Sequence, residues 1–238
     1  MILADLKAEL SQKSSPEKAA FFPRFFKTGP GQYGEGDQFL GITVPDCRSV
    51  AKQFKTLPLE DIVELLHSRW HEERLVALLI LGFQYQKADE DIQTTIYQTY
   101  LANTAWINNW DLVDLSCRDI VGAYMYHHPK HRDTLDKLAA SELLWDRRIA
   151  VISTLYFLMK GEPAPTLHVV GTLLSDKHDL IQKASGWMLR ELGKRVDPQL
   201  LIAFLRTHYE SVPRTTLRYA IEHFPPDVRR RYLAGDFS

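Results

Sequence analysis

The strongest constraint on this chain is a pattern that repeats along it. Glu72 to Leu81 reads EERLVALLIL, Asp146 to Leu155 reads DRRIAVISTL and Leu180 to Leu189 reads LIQKASGWML. Each segment carries a basic residue shortly before an alanine, with a large apolar residue further on. Looser copies, NWDLVDLSCRDIVG at 109–122 and PRTTLRYAIEHF at 213–224, fill the series. The step between neighbours is roughly 35 residues, a period at which one repeat is a pair of helices. A single pair cannot bury its own apolar face, so such pairs must stack on one another.

Helix-start signals lie between the repeated segments. Leu59 follows Pro58, Glu90 follows Asp89, Lys130 follows Pro129, Thr166 follows Pro165 and Pro198 follows Asp197. Proline in a first turn and aspartate just before one both favour a helix start. Apolar residues recur at three and four, as in Ile62, Leu65 and Leu66, and no segment alternates as a β-hairpin would. The expected fold is therefore all-α: a curved α-solenoid of helical-hairpin repeats over 58–224. Before it, 1–57 hold two or three extra helices and a glycine-rich loop; after it, 225–238 form a C-terminal tail. The recurring alanine lets second helices approach closely. The inner face of such a stack suits an extended ligand.

Composition narrows the function. Hydrophobic residues make up 45% of the 238 and charged residues 25%, as in soluble globular chains. The formal net charge is −1, so a nucleic-acid partner would require positive charge gathered on one face. Cys47 and Cys117 are too few and too far apart for a disulfide framework or a cysteine metal site, which fits a reducing, cytoplasmic setting. Residues 1–20 lack a signal-peptide pattern, and the apolar run Leu75 to Phe83 is too short to span a bilayer.

The stretch GPGQYGEGDQFLG at 29–41 holds five glycines. It lacks the Lys-Ser/Thr end of a phosphate-binding P-loop and follows no strand, so a structural loop is the plainer reading. His127, His128 and His131 cluster at a turn without a metal-binding motif, and no metal site is expected. Ser116 and Cys117 have no evident histidine partner.

Chemistry is better carried elsewhere. Trp110 and Asp114 stand at i and i+4 of one expected helix, so their side chains point the same way. An indole face attracts a flat cation, and a carboxylate stabilises positive charge developing in a transition state. Spacing alone also fits a core tryptophan beside an aspartate paired with an arginine. Arg148 and Trp187 occupy equivalent places on later second helices and could join the first pair on the inner face. Arg118, Arg147, Lys183 and Arg190, with Lys194, Arg214 and Arg218, recur along the same helices. They could track a phosphate backbone or merely form a solvated, ion-paired face. Arg229, Arg230 and Arg231 add a basic run near the C-terminus.

Four separated blocks in order resemble one family: FLGITVPDCRSVAKQF at 39–54, NNWDLVDLSCRDIVGAYM at 108–125, LWDRRIAVISTLYFLMKGE at 144–162 and HDLIQKASGWMLRELGKR at 178–195. They resemble the AlkD-like DNA alkylation repair proteins, alkylpurine DNA glycosylases built from HEAT-like repeats. The resemblance implies a concave basic surface for duplex DNA containing alkylated bases. It implies hydrolysis of the N-glycosidic bond of cationic N3- or N7-alkylated purines without a metal or organic cofactor. By position, Trp110 and Trp187 would flank the lesion's deoxyribose, Asp114 would be the catalytic carboxylate and Arg148 would touch the DNA backbone. A cytoplasmic monomer working on DNA, with no membrane, is the expected setting. Two other readings compete: a non-catalytic module for damaged or branched DNA, and a protein-binding solenoid, which would show a neutral or acidic inner face.

Overall fold

The computed structural model describes residues 2–237, which fall into two compact units, one ending at Ser116 and the other beginning at Cys117. The described residues contain helices and one isolated bridge, Gln38 to Trp70, but no strand.

Unit 1 contains α1 (Leu3–Lys13), α2 (Pro16–Phe25), α3 (Val44–Gln53), α4 (Leu59–Leu66), α5 (His71–Tyr85), α6 (Glu90–Ala102) and α7 (Trp110–Asp114). Local chemistry sets the starts. The side chains of Ser15, Thr43 and Asp89 accept backbone N–H bonds from Lys18, Asp46 and Ile92. Each removes an orphan donor of a first turn. Every residue from His71 to Leu81 is buried, as expected of a helix enclosed on all sides. Around it pack α3, α4, α6 and α7.

Unit 2 opens with a π-helical stretch, Arg118–Gly122, that runs into α8 (Ala123–His127). Then come α9 (Thr134–Ala139), α10 (Leu144–Met159), α11 (Ala164–Thr172), α12 (Asp179–Arg195), α13 (Pro198–Thr207), α14 (Arg214–Ala220) and α15 (Pro226–Leu233). Of the expected helix pairs, α4 packs with α5, α9 with α10 and α11 with α12, whereas α6 and α7 both pack on α5, and α13 and α14 both pack on α12. Three helices precede them. Two details differ. The segment 108–125 is broken by a turn and the π-helical stretch. The expected tail contains α15, whose Tyr232 is buried against Phe224 and Phe237 and whose Leu233 carbonyl accepts from Tyr209 and Arg214. A three-arginine run with a single apolar anchor carries too little periodicity to announce that helix.

Successive second helices pack in series, the π-helical stretch on α10, α10 on α12 and α12 on α14. Ala150, Ala184 and Ala220 on these helices are buried, and two glycines leave no room for a side chain. A Cβ on Gly122 would lie 2.3 Å from the Ser153 carbonyl oxygen. One on Gly186 would lie 2.5 Å from both the Thr216 carbonyl oxygen and the Tyr219 Cβ. Gly186→Ala must push α14 away from α12, an overpacking loss of about 1–3 kcal/mol offset by about 1 kcal/mol of helix propensity. The net loss of about 0–2 kcal/mol is expected to lower Tm by up to roughly 8 °C. A Tm equal to the wild type's would show that the helices yield freely.

No helix among the described residues is long and apolar enough to cross a membrane. Both cysteines are buried, and burial pushes the Cys47 thiol pKa far up, so that thiol stays protonated.

Candidate active site and nucleic-acid interface

In unit 1 the site is assembled by the glycine-rich loop. Gly41 has φ +79°, and a Cβ there would lie 2.1 Å from the Ser15 carbonyl oxygen, so no other residue fits. The loop is then tied to the first turn of α5. Backbone N–H groups of Leu40, Gly41 and Ile42 donate to the buried Glu72 carboxylate at 2.9, 2.8 and 3.1 Å. Asp37, near the end of the loop, gathers four donors: His71 Nδ1 at 3.0 Å, Arg74 Nη2 at 2.6 Å, Asn108 Nδ2 at 3.1 Å and Asn109 Nδ2 at 3.4 Å. The other ring nitrogen of His71 donates to Asp111 Oδ2 at 2.8 Å.

The His71 side chain is 2% exposed, and burial alone would lower its pKa. The Asp111 and Asp37 carboxylates reverse that and raise it to about 9. Burial would likewise raise the Asp37 pKa, but His71, Arg74 and Asn108 hold it below its ordinary value. The cluster is an imidazolium and a guanidinium neutralised by two carboxylates, as a buried charge requires.

This cluster sits directly behind Trp110. Asn109 caps α7 through its own side chain and bonds Asp37, and Asp111 lies in the first turn. The Trp110 indole stacks on Phe26 at 5.6 Å between centroids and 23° between planes, with Phe25 edge-on at 5.6 Å. Phe26 in turn stacks on Phe39 and lies 4.7 Å from the His71 ring. Phe25 is 53% exposed, and Trp110 and Asp114 are half-buried, one helical turn apart on α7. The indole and the carboxylate expected to act together thus lie on the same helix, within unit 1. Phe25, Phe26, Asp37 and His71 were not legible as site residues. The available signal was FFPRFF at 21–26, aromatic doublets too dense for a helix of this length to bury.

In unit 2, Trp187 is half-buried on α12, with Lys183, Arg190 and Lys194 on the same face at i−4, i+3 and i+7. Each DNA-contact candidate is engaged within the unit. Lys183 pairs with Asp179 at 2.6 Å, both partly exposed. Arg190 pairs with Glu222, and Arg118 with Asp119 at 2.5 Å. Arg147 is held harder, by Asp176 at 2.7 Å and by the carbonyls of Ser141 and Glu142, each at 2.9 Å. Arg148 is 5% exposed, and its Nη1 donates to the Leu180 carbonyl at 2.7 Å, tying α10 to α12. A phosphate would have to reach it through that small opening. His128 stacks on Tyr124 at 4.2 Å and His127 Nε2 lies 3.3 Å from the Tyr156 hydroxyl. Among the described residues, no three His, Cys, Asp or Glu side chains are grouped to hold a metal ion.

Charge is divided unevenly. Unit 1 carries 11 Lys and Arg against 16 Asp and Glu, and unit 2 carries 18 against 14, for formal net charges of −5 and +4. The overall −1 conceals a basic unit.

Residues 6–224 match the family model described as DNA alkylation repair enzyme. The fold is similar to a solved structure titled a predicted DNA alkylation repair enzyme from Enterococcus faecalis, with a TM-score of 0.70 and 21% sequence identity over 90% of this chain and 98% of that one. No curated protein matches.

Proposed function

Because this chain belongs to the DNA alkylation repair enzyme family, we propose that it is a DNA glycosylase for cationic N3- and N7-alkylated purines in duplex DNA. The observation that carries the reading is the α7 pair: a half-buried Asp114 carboxylate one turn beyond an indole braced by two phenylalanines. An alkylated purine is already positively charged. When its C1′–N bond breaks, the bonding pair neutralises the base, which leaves without a general acid. The deoxyribose is left as an oxocarbenium ion. Asp114 stabilises that charge and orients the water whose oxygen adds to C1′, the proton passing to the carboxylate or to solvent. Trp110 presents an aromatic face to the sugar, with Phe25 extending the shelf, and Trp187 offers the DNA a further aromatic face on α12. The protein acts as a cytoplasmic monomer.

Arg118, Lys183 and Arg190 supply phosphate contacts, with Arg147 and Arg148 supporting them from α10. An exposed ion pair contributes only about 0–1 kcal/mol, so the Lys183–Asp179 pair exchanges a carboxylate for a phosphate at little loss. Arg118, held by Asp119 through two part-buried hydrogen bonds, yields less readily. Lys183→Ala is expected to weaken duplex binding and reduce its log–log salt slope by about 1. Arg147→Ala, which frees three acceptors, is expected to lower Tm instead, with little change in slope. The opposite allocation would exclude Lys183 as a phosphate ligand.

The proposal is tested by incubating the purified protein with methylated duplex DNA and measuring release of 7-methylguanine and 3-methyladenine. Salt-dependent binding without release would mark a non-catalytic DNA module. Absence of binding would favour a protein partner.

A further inference from the structure

We propose that Asp37 and His71 are positioning residues for the Trp110 shelf: an imidazolium donating from both ring nitrogens clamps the glycine-rich loop to the first turn of α7 and fixes the plane of the indole. The claim that this plane serves a lesion's sugar rests on the glycosylase reading; the clamp itself does not.

The geometry leaves His71 one workable state. Both ring nitrogens face carboxylate oxygens, at 3.0 and 2.8 Å, and a carboxylate only accepts. A neutral ring would turn one nitrogen lone pair toward an anion in a site sealed from water. The other ionisable groups around the ring are accounted for. Arg74, on the same helix, is bound to Asp37; Glu72, its neighbour, is bound to the loop amides; and the Cys47 thiol on α3 is uncharged. On loss of its proton the ring can keep only one of the two aspartates.

Both consequences reach Trp110. Release of Asp111 loosens the residue next to the indole. Release of Asp37 frees the carboxylate that also bonds Asn109, the cap of α7. Phe26, the ring on which the indole stacks, lies against His71 and loses a cation beside its face. The glycine-rich loop, which has no phosphate-cradling motif, thereby acquires a function: it delivers Asp37.

The experiment uses the full chain labelled with 5-fluorotryptophan, the Trp110 resonance being the one lost in Trp110→Phe. In the wild type that resonance is expected to shift between pH 7 and 10 with a midpoint near 9. His71→Gln is expected to abolish the shift, and Asp37→Asn to bring the midpoint down. If His71→Gln does not fold, the wild-type titration and Asp37→Asn decide. A Trp110 line that does not titrate, or titrates alike in His71→Gln, overturns the proposal. For base release, Asp37→Asn is expected to lower kcat about tenfold with KM within about twofold, the mark of misplacement rather than lost binding. A titrating indole in a protein that releases no base would leave the clamp standing and remove the glycosylase reading. Base release without titration would do the reverse.

Discussion

Asp114→Asn is expected to reduce single-turnover release of 7-methylguanine by about 10²–10³-fold, the effect of removing one preorganised group from a developing charge. Asparagine keeps the size of the side chain and an acceptor oxygen, so water can still be held. What it lacks is the full negative charge opposite an oxocarbenium ion, and in a site partly shielded from solvent that charge counts for more than in water. The leaving group needs no help, because the lesion carries its own positive charge. The residual rate belongs to the aromatic shelf and to binding. Duplex affinity is expected to hold or rise slightly, since a carboxylate is removed from the neighbourhood of phosphates. Release within threefold of the wild type would eliminate the carboxylate from the mechanism.

The experiment is clean because the two aspartates of α7 differ in kind. Asp111 is buried and accepts from His71, so its replacement strikes the clamp and the fold together. Asp114 is half-buried at the end of the helix, and asparagine keeps its size and shape there. Loss of activity in Asp111→Asn would therefore be read through stability, and in Asp114→Asn through chemistry.

That distinction marks how far the sequence could be read. The helix pairs were legible because the α5, α10 and α12 segments share one pattern at one period, and a period imposes stacking. Trp110 and Asp114 were legible as a pair because helical spacing converts sequence separation into direction. The roles of the cations were not. Lys183 and Arg147 look alike in sequence, yet one holds an exposed partner one turn away and the other pins two loops. The difference lies in Asp176, 29 residues on, and no local rule reaches it. Asp37 is the sharper case. It stands among glycines in a segment without periodicity, and its partners His71 and Asn108 lie 34 and 71 residues away. Long-range pairing of buried charge leaves no local trace, so the clamp behind the indole becomes visible only in the folded chain.

Glu72→Ala is expected to destabilise the protein by about 3–5 kcal/mol, because it strands several backbone donors at once. Three amides, those of Leu40, Gly41 and Ile42, lose their acceptor at once. Each stranded donor costs about 1–3 kcal/mol, and removal of a desolvated carboxylate returns part of the sum. Water cannot readily substitute, since Gly41 is packed against the Ser15 carbonyl and Ile42 is buried. Set against a typical stability of about 5–15 kcal/mol, such a loss corresponds to a fall in Tm of roughly 6–20 °C. Glu72→Gln keeps one acceptor oxygen but turns an NH2 toward the amides, so it should fall between alanine and the wild type. Amide exchange should quicken first in 37–42 and in α7, because the loop released by Glu72 is the one that carries Asp37. At a temperature where Glu72→Ala is still folded, base release should already be reduced, with the Trp110 resonance broadened. A Tm within 2 °C of the wild type, about what 1 kcal/mol would move, would mean that these amides find other acceptors and that the loop holds its place without Glu72.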